Sequence, residues 1–148
     1  MDAYYVVNDP KDPIAVRATE NRKQDYLFWN EVKPGLKDDF DISCHALATR
    51  TGLSERRTRD ITMALYRLAE LPLTMALQET YYFLDFSRLI TIDAVLSKLG
   101  DIPTETLERI DQELARYLTP TRPGQVLPSS TNLRRKLNGL IAVENPNA

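Results

Sequence analysis

An all-α fold, a multi-helix single domain containing a helix-turn-helix-like pair, is what this sequence predicts. Three observations carry that expectation. Apolar residues recur three and four positions apart along most of the chain. The periodic stretches open at Asp12-Pro13, Leu71-Pro72 and Pro103-Thr104, and close near Gly52 and Gly100. Nothing alternates with period two for long. A chain of 148 residues suits one domain and can bury a core without staples. Residues 1–43 read as an N-terminal arm and helix, and 44–148 as a helical domain that forms one unit with them.

Residues 1–11 read as an extended arm whose Tyr4, Tyr5, Val6 and Val7 pair as a short strand or lie over an apolar groove. Asp12 is an N-cap acid before a proline at the first helical position, so a helix is expected from there to Lys33. It carries Tyr26-Leu27-Phe28-Trp29, a cluster too dense for one face, so part of it must meet a second surface. After the linker at 34–41, a short helix from Ser43 ends at Gly52, where positive φ carries no Cβ penalty. Leu53 then folds back on the core and Ser54 caps a longer helix, with Ile61, Ala64, Leu65 and Leu68 on one face.

Leu73, Ala76, Leu77, Thr80, Tyr81 and Leu84 follow helical spacing and predict an amphipathic helix over 72–84. Thr91 caps a short helix with Ile92, Val95, Leu96 and Leu99 inward. From Pro103 a further helix turns Leu107, Ile110, Leu114 and Leu118 inward, and Glu105, Glu108, Asp111 and Glu113 read as its solvated acidic face. Three prolines and a glycine at 119–130 predict a loop open to motion. Ser130 or Thr131 then caps a last helix that ends near Asn145-Pro146, with Leu133, Leu137, Leu140 and Ile141 apolar.

The formal charge is −2, so no global basic field draws the chain onto nucleic acid. Charge is nevertheless uneven. Residues 44–70 hold five basic against three acidic side chains, and 129–148 hold three against one. These stretches are the helix-turn-helix candidate and the last helix. One cysteine, Cys44, rules out an intramolecular disulfide; beside apolar neighbours it reads as a small buried side chain rather than a nucleophile. The N-terminus lacks a basic region followed by an apolar run, and no apolar stretch approaches bilayer-spanning length; the expectation is a cytoplasmic chain with no membrane partner.

An alanine four residues before a glycine, then an N-cap serine opening an arginine-bearing helix, has the form of a helix-turn-helix, although Thr58 occupies a position that is usually apolar. In this reading Arg56, Arg57 and Arg59 contact DNA, Arg50 reaches a neighbouring phosphate, and Arg134, Arg135 and Lys136 extend the footprint. Pairing of Arg56 with Asp60 would blunt the patch. The plain alternative is an αα-corner with solvated arginines.

Three stretches, LATRTGLSERRTRDITMALYRLAELP, FSRLITIDAVLSKLGDIPTETLERIDQEL and the basic helix ending in VENPNA, resemble a known family. It is the actinobacterial domain of unknown function found N-terminal to HNH endonuclease modules, in mycobacterial repeat-family proteins and phage-borne relatives. The resemblance covers about Ala46 to the C-terminus, and Ser87 stands where the family commonly has glycine in a turn at Phe86–Thr91. It implies a C-terminal nuclease module. This chain cannot be that nuclease: His45 is its one histidine, it reads as a surface or partly packed residue, and no metal-ligand spacing occurs. The expectation is then either the N-terminal part of a longer product, which the ending at VENPNA favours, or a stand-alone relative.

No cofactor or metal is expected. The carboxylates Asp38, Asp39 and Asp41 lie in a polar linker without a base or nucleophile at fixed spacing, and the five glycines are scattered, so a small-molecule enzyme is disfavoured. The competing reading is a structural or protein-interaction domain that oligomerises through an aromatic surface of Tyr26, Phe28, Trp29, Tyr81, Tyr82 and Phe83.

Overall fold

Residues 2–144 are described by a computed structural model, and among them seven helices and one 3₁₀ turn carry the all-α fold. The turn is Val6–Asn8; the helices are α1 (Pro13–Val32), α2 (Phe40–Thr51), α3 (Glu55–Ala69), α4 (Pro72–Tyr81), α5 (Phe86–Ser97), α6 (Thr104–Leu118) and α7 (Ser130–Glu144). The expected end of the last helix, at Asn145-Pro146, lies outside the described residues.

The short helix α5 is the centre of the packing. It lies against α3 on one side and α7 on the other, while α6 packs on α4 and α7, and α2 and α1 pack on α3. Ile61, Leu65 and Leu68 of α3 meet Leu89, Ile92 and Leu96 of α5 in one core, closed by Leu114 and Leu118 from α6 and Leu133 and Leu137 from α7. Tyr5, Tyr26 and Trp29 belong to the same core, so the arm and α1 share it with the rest of the chain.

The arm is held on two sides. Val6 N–H donates to the Gln125 carbonyl, Gln125 N–H donates to Tyr4 and Tyr4 N–H donates to Arg122, forming an isolated parallel bridge. The Tyr5 ring is fully buried against Phe83, with centroids 5.5 Å apart, and its hydroxyl donates to the Leu118 carbonyl at 2.8 Å. The same bonds pin the 119–130 loop, whose Leu127 is buried in the core.

Several local expectations are revised. Helix α2 starts at Phe40, three residues before Ser43, so part of the presumed linker is helical. Leu53 is 39 % exposed and does not fold back on the core. The presumed turn at Phe86–Thr91 is the start of α5, because the Asp85 carboxylate caps the Arg88 N–H; Thr91 sits mid-helix, its hydroxyl bonded to the Ser87 carbonyl. The last helix is capped by Ser129, which accepts from Asn132 N–H, rather than by Ser130 or Thr131.

The inward face of α4 also differs from its apolar stripe. Thr74 and Gln78 are fully buried, whereas Leu73, Ala76 and Thr80 face outward. The helix stops at Tyr81, and Tyr82 takes a left-handed conformation with φ 50°. Leu84 lies beyond the helix, with its N–H and carbonyl both bonded to the Gln78 side chain. Asp111, read as part of a solvated acidic face, is buried and accepts from the start of α4. Buried polar groups of this kind are tolerated because each has a partner of matching geometry.

Candidate nucleic-acid interface

The α2–α3 corner is built by two short-range devices. Gly52 ends α2 in the left-handed region with φ 77°, its N–H closing on the Ala48 carbonyl. Ser54 then accepts the Arg57 N–H at 3.0 Å and starts α3. Thr58 is fully buried and fills its apolar-type position by spending its hydroxyl on the Ser54 carbonyl at 3.0 Å. A helical threonine can satisfy itself this way and present its methyl to the core.

Arg56 and Arg57 are exposed on the first turn of α3, and among the described residues neither enters an ion pair. Arg50 is exposed near the end of α2, beside a cleft of about 360 Å³ that Phe28, Val32 and Leu47 also line. Arg59 is partly exposed and ion-paired. Its guanidinium lies 2.9 Å from Asp41 and 3.6 Å from Glu55. Farther along, Arg67 pairs with Asp93 and Glu70, each at 3.1 Å. Free positive charge on α3 is therefore confined to its N-terminal turn, the positive end of the helix dipole.

Arg134, Arg135 and Lys136 sit on α7, which packs chiefly on α5 and α6 rather than on α2 or α3. Arg134 and Arg135 are exposed, while Lys136 lies 5.4 Å above the Tyr117 ring. Arg50 thus stands at the end of α2, beside one cleft, Arg56 and Arg57 at the start of α3, and the α7 cations on a helix that packs elsewhere.

One arginine near Arg57 was not singled out from the sequence. Arg22 of α1 lines a cavity of about 210 Å³ together with Asp25, Tyr26, Arg57 and Ser87. Its Nε donates to the Tyr82 carbonyl at 2.8 Å, and one Nη donates to Val7 and Thr19. Burial weakens its hold on the proton, with Asp85 opposing that shift. These bonds make Arg22 a clasp between the arm, α1 and the left-handed Tyr82. No local sequence signal marks it, because all but one of its partners are main-chain carbonyls.

His45 is largely exposed, its Nδ1 3.1 Å from Glu55. Cys44 is buried, and burial pushes its thiol up, away from the reactive thiolate. Among the described residues no group of three metal-ligating side chains converges, and no helix is long and apolar enough to cross a membrane.

Of the six crowded aromatics, Tyr26, Trp29 and Phe83 are buried, and Tyr81 and Tyr82 pack partly against the core. Phe28 alone is exposed, at 45 %, with Leu27 beside it. The chain matches no protein-family model, no curated protein and no solved structure.

Proposed function

We propose that this chain is a non-catalytic helical accessory domain that contacts nucleic-acid phosphates through the first turn of α3. The observation that carries this reading is that, among the described residues, Arg56 and Arg57 enter no ion pair at a serine-capped helix N-terminus, with Arg50 at the end of the preceding helix and the later α3 cations paired. Such an end supplies positive charge without a long base-reading face, so it favours sequence-independent contact. In this reading the chain works in the cytoplasm, and its resemblance to the domain that precedes HNH nucleases would set a C-terminal nuclease module beside it. Arg59 acts in this reading as a brace between α2 and α3.

Fluorescence anisotropy of labelled duplex DNA at low and near-physiological salt tests the proposal. Binding should weaken steeply with salt, with a slope of log K against log salt of about −2.7 for three phosphate contacts. The Arg56→Glu/Arg57→Glu variant should lose binding to all sequences alike, and Arg134→Glu/Arg135→Glu should keep it. Affinity retained in the first variant, or no binding by the wild-type chain at low salt, removes the reading.

A second reading, a structural or protein-interaction domain, is favoured by the cleft between α1 and α2. Phe28, Val32 and Leu47 line it, and Ile42 on α2 is 74 % exposed. It takes precedence if DNA is not bound and Phe28→Ser abolishes docking of a partner module.

A further inference from the structure

Beside Arg57, the first turn of α3 meets α1 and the start of α5 around a cavity of about 210 Å³. A single buried water needs only about 15 Å³ of such space, so there is room for a flat organic ring. The wall carries charge of both signs, Arg22 and Arg57 with Asp25 and Asp85, next to the aromatic residues Tyr26 and Phe86.

These charges are not spent on one another. Arg57 and Asp25 are exposed, and among the described residues neither enters an ion pair. Asp85 commits Oδ1 to the backbone N–H and guanidinium of Arg88, and its other oxygen takes no bond among the described residues. Arg22 holds the Tyr82 and Val7 carbonyls through Nε and one Nη, and its second Nη makes no bond among them either. Donors and acceptors are thus both on offer. A bare anion meets two carboxylates along with the arginines, so this wall does not select phosphate alone. It suits a neutral ring with donors and acceptors along its edge, joined to an anionic group. That is the chemistry of a nucleotide, whose base lies one sugar away from its phosphate.

We propose that this cavity takes one unpaired base of a nucleic-acid strand whose phosphate rests on Arg57, with Phe86 and Tyr26 as its aromatic wall. The inference rests on the phosphate contact by the first turn of α3 and adds a substrate class to it. A duplex keeps its bases paired and stacked, so the cavity gives the chain a preference for single strands.

Anisotropy titrations at one salt concentration with three labelled DNA probes of equal length test it: a duplex, one of its strands, and that strand with its bases removed. The intact single strand should bind at least about tenfold more tightly than either of the others. Ser87 is exposed and lines the cavity, so Ser87→Trp should fill it and bring the single strand down to the abasic level, with duplex affinity unchanged. Phe86→Ala should do the same. Phe86 packs partly against the core, so a circular-dichroism melt accompanies each variant, and Ser87→Trp alone decides if the alanine variant does not fold. A single strand bound no better than the duplex or the abasic strand overturns the inference and leaves the phosphate contact standing. So does a preference that survives Ser87→Trp. A wild-type chain that binds none of the three probes removes both.

Discussion

A single carboxylate oxygen of Asp111 accepts both the backbone N–H of Thr74, at 2.9 Å, and its hydroxyl, at 2.8 Å. The other oxygen takes the Leu73 N–H at 2.9 Å. Helix α4 has no side-chain cap from its own N-terminal residue, Leu71. A residue on α6 supplies it, about forty positions later in the chain, and puts a negative charge at the positive end of α4.

Removing that carboxylate should be costly. Asp111→Ala leaves the first N–H groups of α4 and the Thr74 hydroxyl without a buried acceptor, a loss of about 3 kcal/mol. Asp111→Asn should lose less, since one oxygen remains. Urea denaturation measures both, and an Asp111→Ala midpoint equal to wild type would show that α4 finds another cap.

Gln78 plays the matching role at the far end of α4. Its amide gives one bond to the Leu84 carbonyl and takes one from the Leu84 N–H, at 3.0 and 2.9 Å. Gln78→Met keeps the volume and removes both bonds, so about 2–3 kcal/mol should be lost. Hydrogen exchange localises the effect: the Leu84 amide should lose protection before the amides of α5. Uniform loss across the core would point to general loosening instead.

At Gly52 the predicted cost is conformational alone. The left-handed φ of 77° disfavours a Cβ, yet no atom lies within 4 Å of where that Cβ would stand. Gly52→Ala should therefore destabilise by about 1 kcal/mol, and Gly52→Asn by less. Equal stability of the alanine variant and wild type would argue against the left-handed corner in solution.

The buried phenol of Tyr5 predicts an alkaline limit to stability. Burial, with smaller effects of Tyr117 and Tyr81, raises its pKa from 10.0 to about 12. A raised pKa means the folded state holds its proton more tightly than the unfolded chain. That stabilisation is complete below pH 10.0 and is lost as pH rises towards about 12. The slope from this one group is at most about 1.4 kcal/mol per pH unit. Tyr26 is shifted the same way, by burial first and then by Glu79, so it adds to the loss. Tyr5→Phe should flatten the fall in stability above pH 10 seen in denaturation curves; an unchanged slope would mean that Tyr5 ionises freely.

Much of this architecture is written in local signals. Asp12-Pro13 opens α1, Gly52 and Ser54 make the corner, and the apolar spacing in α3, α6 and α7 marks the faces that are buried. These features are legible because capping and helical periodicity depend on residues within a few positions of each other. The candidate arginines were legible as residues but not as a group. Among the described residues Arg56 and Arg57 enter no ion pair whereas Arg59 is paired, and that distinction needs the position of Asp41 on the neighbouring helix.

The sequence by itself determined the all-α class, most helix boundaries and the capped corner between α2 and α3. Tertiary structure alone decided that Asp111 is a buried cap for α4, that Gln78 clamps Leu84, that the arm's Tyr5 enters the core, and that the α7 cations lie apart from those of α3. The physical reason is range. A hydrogen bond or ion pair between residues distant in the chain leaves no periodic trace, and the same aspartate reads as solvated or as buried according to which donors the fold brings to it.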